Sequence, residues 1–230
     1  MDAIAQNWAR VRERVARAAA ATGRDAAQID IVAVTKTRPA AVVEAALAAG
    51  VGDVGENRVQ EADTKRPQVH GAARWHLIGH LQRNKAGRAI ELFDLIQSVD
   101  SQRLADALER RAAEAEHPVE VLVQVNTAGA AQQGGVAPDE TVALVRHVAG
   151  LEFLQVRGLM TIAAFSDDTD EVRACFRRLR KLRDRVASEG LDGVEMRWLS
   201  MGMSGDYELA IEEGSNMVRV GTAIFGPRGA

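Results

Sequence analysis

The chain has 230 residues, 47% hydrophobic and 27% charged, with 29 lysines and arginines against 32 acidic residues for a net charge of −3. That length suffices for one full core over residues 1–230, and the near-balanced charge, with no long basic run, excludes a nucleic-acid or anionic-membrane surface as the default partner. A single cysteine, Cys175, excludes an internal disulfide, no Cys/His cluster suggests zinc, and no apolar span is long enough to cross a bilayer, so a cytoplasmic protein with a small-molecule partner is expected.

From Asp2 to Ala21 the chain is rich in alanine and arginine. Ile4, Trp8, Val11 and Val15 recur at three- and four-residue spacing and Gly23 supplies a stop, which predicts an amphipathic helix within residues 1–22, packed on the rest of the domain. Residues 29–36, Ile-Asp-Ile-Val-Ala-Val-Thr-Lys, are short, β-branched and apolar on both parities, the pattern of a parallel strand buried on both faces. Pro39 suits the first turn of the next helix, whose stripe is Val42, Val43, Ala46 and Leu47 before Gly50.

The alternation then repeats. Strands are predicted at 51–56, 74–79, 95–99, 119–126, 154–162, 196–201 and 217–225. Helices are predicted from Val59, at 84–93, from Ser101, whose hydroxyl suits a cap, at 138–149, over a long charged stretch ending at Gly190, and at 207–213. Cys175 beside Phe176 and Leu179 falls in the buried stripe of that charged helix, and residues 177–185 form its solvated face. Eight strands separated by helices predict an α/β fold, a single (β/α)8 TIM-type barrel with an extra N-terminal helix. An open doubly wound sheet is the alternative, but closure leaves no edge to protect.

In a barrel the carboxyl ends of the strands carry the chemistry, because the loops leaving them converge over the mouth. Lys36 ends the first strand there. Partial desolvation disfavours its ammonium and frees the amine to condense with an aldehyde as a Schiff base; alternatively it simply ends a strand and points to solvent. The loops after strands seven and eight are where a phosphate is expected. They carry Ser200-Met201-Gly202-Met203-Ser204-Gly205-Asp206 and Gly221-Thr222, whose hydroxyls and N–H groups suit an anion, though turns that need glycine also explain them. Strand eight alternates so that Met217, Arg219 and Gly221 share one parity, which puts an arginine inside the barrel. It either pairs with a carboxylate such as Glu56 or Asp53 or aims at a ligand. Asn57, after strand two, either reaches the lysine's neighbourhood or closes an Asx turn. His76 and His80 lack metal-ligand spacing and a partnered carboxylate and are taken as structural. No Gly-x-Ser-x-Gly elbow accompanies the histidines.

With the Lys36 strand, Val54-Gly55-Glu56-Asn57, Trp75-His76-Leu77-Ile78-Gly79-His80-Leu81-Gln82-Arg83-Asn84-Lys85, Arg157-Gly158-Leu159-Met160-Thr161, Ser200 to Ser204 and Met217-Val218-Arg219-Val220-Gly221-Thr222-Ala223-Ile224-Phe225-Gly226, the chain resembles the YggS/PROSC family of pyridoxal-phosphate-binding proteins from end to end. The resemblance implies a barrel like the N-terminal domain of alanine racemase, with pyridoxal 5'-phosphate held as an aldimine on Lys36. It places Arg219 at the pyridine nitrogen, Ser204, Gly221 and Thr222, with the backbone around Gly202 and Met203, on the phosphate and Asn57 beside the ring; Ser200, which opens the same stretch, is counted with the cofactor-binding residues. It implies a monomer that holds or delivers the cofactor to apo-enzymes and maintains vitamin B6 and amino-acid homeostasis, without catalysis and without a metal.

An arginine at the pyridine nitrogen weakens the ring as an electron sink, and racemases with that arrangement use a tyrosine from another domain as second base, whereas Tyr207 is the single tyrosine here. A pyridoxal-dependent racemase or lyase is the alternative, and a Schiff-base lyase on a sugar phosphate a third. In the stretch Asn126 to Gly135, many relatives carry lysine at the position of Gln133 and glutamate at that of Ala130, so a secondary cofactor contact there is not expected in this chain.

Overall fold

The computed structural model describes residues 2–130 and 132–227; Met1 of the expected N-terminal helix, Ala131 of the 126–135 loop and residues 228–230 lie outside them. Strands and helices alternate as α1 (Asp2–Ala21), β1 (Asp30–Val34), α2 (Ala40–Ala48), β2 (Asp53–Glu56), α3 (Val59–Lys65), β3 (Arg74–Leu77), α4 (Ala86–Leu92), β4 (Leu95–Val99), α5 (Gln102–Glu114) and β5 (Val119–Gln124). The order continues with α6 (Thr141–Ala149), β6 (Leu154–Met160), α7 (Thr169–Ser188), β7 (Trp198–Met203), α8 (Tyr207–Glu212), β8 (Met217–Val220) and α9 (Thr222–Phe225). Each strand pairs in parallel with the next, and β1 closes on β8 through Asp30↔Met217 to Ala33↔Val220, giving a closed eight-stranded barrel.

The expected N-terminal helix is present and also completes the ring. After β8 the chain makes only a four-residue helix, and α1 packs against α8, α9 and α2, the place a full eighth barrel helix takes. Trp8, Val11, Val15, Ala18 and Ala19 bury its inner face, and Asn7 Nδ2 donates to Ile224 O at 2.8 Å.

Several expected boundaries move, among them that of strand one, which stops at Val34, so that Lys36 lies in the loop after it. Strand eight stops at Val220, not 225, because the N–H groups of Ile224 and Phe225 turn back to Gly221 O at 2.9 Å. Strand seven starts at Trp198 and runs on to Met203 through a register shift against β8 between Ser200 and Met203. A 3-10 turn, Arg83–Lys85, precedes α4. Ser101 occupies the cap position of α5 in extended conformation, but its hydroxyl makes no cap bond.

Two apolar clusters hold the fold. The larger lies between sheet and helices; the smaller, Val32, Leu95, Leu122, Met160, Trp198 and Met217, fills the barrel's inside. Trp198 closes the floor, where strands begin: its indole N–H donates to Asp30 Oδ2 at 2.8 Å and the guanidiniums of Arg74 and Arg197 stack on its ring. Cys175 is buried on α7 as expected. The face expected to be solvated is partly engaged, since Arg180 donates to Glu213 O and Arg178 to Thr127 O. No helix among the described residues is long and apolar enough to cross a membrane.

Candidate functional site

The polar groups at the barrel mouth surround a cleft of about 360 Å³. Val32 is inside the barrel, so by the two-residue period of a strand Val34 and then Lys36 face the same axis, and both line the cleft. Asn57, just past β2, lies on another wall. Met203 and Ser204, at the end of β7, and Arg219, Gly221 and Thr222, from β8 and its turn, complete the polar side. These seven expected residues are brought together. Ser200 and Gly202 are not among the lining. Ser200 is buried one rung lower, and Gly202, at φ +96°, packs on α8, where a Cβ would come within 2.6 Å of Ala210 Cβ.

Lys36 is half-buried and sits in a braced loop. On its outer side Thr35 Oγ1 donates to Glu56 Oε1 at 2.6 Å. Lys65 Nζ, on α3, donates to Thr35 O at 2.9 Å, Glu56 Oε1 at 2.6 Å and Glu61 Oε1 at 2.9 Å. Glu61 in turn accepts the N–H of Thr37, a non-glycine residue held in the left-handed region at φ +65°. The loop therefore stores a small strain, of order 1–2 kcal/mol, and the ion pair beneath it maintains that conformation. Burial raises the Glu56 carboxyl above its usual range, against the pull of Lys65 and Thr35.

Arg219 is 4% exposed and makes neither of the expected carboxylate pairs: Glu56 belongs to Lys65, and Asp53 to His76. Its Nη1 donates to Ser200 Oγ and its Nη2 to Thr161 O, each at 2.7 Å. Burial lowers it to about 10, with Asp206 opposing, so it is charged at neutral pH. The N–H groups of Gly221 and Ala223 both donate to Ser204 Oγ at 3.0 and 3.4 Å, which fixes the hydroxyl in place and leaves its own proton to donate. Asp206 accepts the Met203 N–H, and its own carboxyl is raised by burial.

Val34, Ile78, Ile162 and Phe165 supply apolar walls that sequence reasoning did not assign. Phe165 is the outlier, 92% exposed at the rim, and Gln133 Nε2 ties its loop down by donating to Ala163 O at 3.2 Å. Gly79 braces Asn57 so closely that an added Cβ would lie 2.3 Å from Asn57 O. His76, taken as structural, is bonded across the strand pair, where Asp53 Oδ1 lies 2.9 Å from its Nε2. No metal-ligating cluster occurs among the described residues. One primary amine, one buried guanidinium, a hydroxyl-and-amide cradle and apolar walls fit a flat, phosphorylated aromatic aldehyde.

Comparison with known proteins agrees with this chemistry. Residues 1–229 match the family model for the alanine racemase N-terminal domain. A Pseudomonas aeruginosa protein named pyridoxal phosphate homeostasis protein is 42% identical over 99% of this chain and 97% of its own. PipY of Synechococcus elongatus, solved with PLP bound, is 36% identical, with a TM-score of 0.85 over 97% of this chain and all of that one. An alanine racemase of Clostridium difficile, 17% identical, shares the fold with a TM-score of 0.81 across this whole chain and 58% of its own. The chain belongs to the alanine racemase N-terminal domain family and, within it, to the pyridoxal phosphate homeostasis proteins.

Proposed function

We propose that the chain binds pyridoxal 5'-phosphate at the barrel mouth, with Lys36 as covalent anchor, and serves to hold and hand on the cofactor in vitamin B6 and amino-acid homeostasis. The observation that carries this reading is the meeting of Lys36, Arg219 and the Ser204/Gly221/Thr222 cradle in one cleft with apolar sides. The cofactor supplies an aldehyde that bonds reversibly to amines, so an incoming amine can release it. Lys36 offers the amine. Ser204 and Thr222, with the Gly221 backbone and Met203 beside them, receive the phosphate; Asn57 and Arg219 orient the ring, Arg219 as a group that can only donate. Ser200 supports Arg219 from below, and Gly202 lets the end of β7 pack closely on α8.

The non-catalytic reading rests on what lines the cleft. Among the described lining residues there is no tyrosine, histidine or carboxylate to serve as a second proton-transfer group. Tyr207 is buried on α8, with the Arg14 guanidinium over its ring at 5.2 Å. The racemase-like fold favours, as a second reading, a weak racemase or lyase activity. We place the protein in the cytoplasm, as a monomer with residues 1–230 forming one barrel domain, and with apo-forms of pyridoxal enzymes as recipients.

The experiment is to load the protein with pyridoxal 5'-phosphate, follow its near-ultraviolet and visible absorbance, and then add a pyridoxal-dependent apo-enzyme. Saturable binding at one site per chain and recovery of the recipient's activity support the proposal. Binding with turnover of an added amino acid would favour the racemase or lyase reading, and no spectral change with binding of a sugar phosphate would favour the third.

A further inference from the structure

Inside the barrel, below the cleft, a row of polar side chains runs from floor to mouth. Asp53 opens β2 at the floor with its side chain 28% exposed, and its Oδ1 accepts from His76 Nε2 at 2.9 Å. His76 Nδ1 accepts from Gln97 Nε2 at 2.9 Å, Gln97 Oε1 from Ser200 Oγ at 2.6 Å, and Ser200 Oγ from Arg219 Nη1 at 2.7 Å. His76, Gln97 and Ser200 are completely buried.

The two ends dictate the direction of every bond between them. A guanidinium can only donate and a carboxylate can only accept, whereas serine, glutamine and neutral histidine do both. Ser200, receiving from Arg219, must give its proton to Gln97 Oε1. That turns the Gln97 amide nitrogen towards His76, so Nδ1 must accept and Nε2 must carry the proton that Asp53 receives. Any one group reversed would set donor against donor in a site without exposure, which is costly.

We propose that Asp53, His76, Gln97 and Ser200 form a positioning relay that holds the Arg219 guanidinium in one orientation and links it to a carboxylate at the opposite end of the barrel. The relay deepens the proposed function, because Arg219 is the group assigned to the ligand ring, but its existence does not depend on that assignment. Packing alone does not require it. Val32, Leu95, Leu122, Met160 and Met217 fill neighbouring inside positions, and four consecutive polar side chains with matched donors and acceptors are far more demanding to bury than these.

The test has two arms. In the ligand-free protein, nitrogen-15 NMR should show His76 protonated on Nε2 alone and the Arg219 Nη–H groups as separate, slowly exchanging signals, assigned by their loss in Arg219→Lys. Gln97→Leu, of similar volume, cuts the relay in the middle, and Ser200→Ala is the milder cut should the first fold poorly. Either should speed Arg219 Nη–H exchange by about two- to tenfold, the effect of losing one typical net hydrogen bond. His76→Gln, which can still accept and donate, should keep the signals slow. Unchanged Arg219 signals in both cuts, or a proton on His76 Nδ1, would overturn the relay.

In the second arm, pyridoxal 5'-phosphate is added to the same variants. A shifted absorbance band at unchanged one-to-one loading is expected. An unshifted band together with altered Arg219 signals would leave the relay standing and overturn the assignment of Arg219 to the ring.

Discussion

Replacing Lys65 with methionine removes the cation beneath the Lys36 loop without opening a large cavity. Lys65 is 6% exposed and Glu56 is fully buried. The change deletes three hydrogen bonds, to Thr35 O, Glu56 Oε1 and Glu61 Oε1. Glu56 Oε2 already has no partner, so the stranded carboxylate keeps only the Thr35 hydroxyl. Breaking one side of a buried ion pair costs about 3–5 kcal/mol, a large part of the ~5–15 kcal/mol that holds a domain folded. At ~2–4 °C per kcal/mol for a chain of this size, Tm should fall by about 6–20 °C.

The pH dependence has a definite sign. Burial raises the folded-state pKa of Glu56, so the native state binds this proton more tightly than the unfolded chain; stability falls as pH rises through that raised value and recovers on acidification towards the ordinary glutamate range. Lys65 opposes the rise. Without it the window widens upward, and the deficit of Lys65→Met should be largest at neutral pH and shrink in acid. Lys65→Met/Glu56→Gln removes the stranded charge and should recover most of the loss. Urea unfolding of wild type, single and double variants across pH measures all of this. A loss of less than ~1 kcal/mol in the single variant, or a double variant no more stable than the single, would refute the reasoning.

Gly79→Ala should weaken cofactor binding while sparing the core, because the new methyl must push the Asn57 backbone off its present position; equilibrium titration checks it, and unchanged affinity would show that Asn57 is not a contact. Arg219→Ala should alter the bound cofactor's absorbance and speed its loss on dialysis, leaving Ser200 Oγ and Thr161 O without their donor. Lys36→Ala should lose the covalent anchor but retain weaker, phosphate-dependent binding, measured by competition with inorganic phosphate, since the Gly221 and Ala223 N–H groups hold the Ser204 hydroxyl in place.

The alternation of strands and helices, the closed barrel and most of the mouth were legible in the chain because they follow from period and position: Lys36 shares the parity of Val32 and Val34, and Arg219 that of Met217. The features that were not legible depend on the third dimension. Ser200 and Ser204 belong to one motif, yet a register shift in β7 and the positive-φ backbone of Gly202 within it leave one a rung below the cleft and the other at its wall. The Asp53–His76 contact needs the β2–β3 register, Gly55↔His76, which no local pattern encodes. Residues 221–225 are apolar enough for a strand, and only the bonds back to Gly221 O make them a helix. The role of α1 as the ring's last helix depends on α9 being too short to fill that place.

That Lys36 carries the cofactor is tested most directly by borohydride reduction of the protein loaded with pyridoxal 5'-phosphate, with peptide mass mapping of the product. A single pyridoxyl group per chain is expected, on Lys36, and absent from that peptide in Lys36→Ala. No adduct with excess cofactor, or one found on another lysine in the wild-type chain, would contradict the assignment.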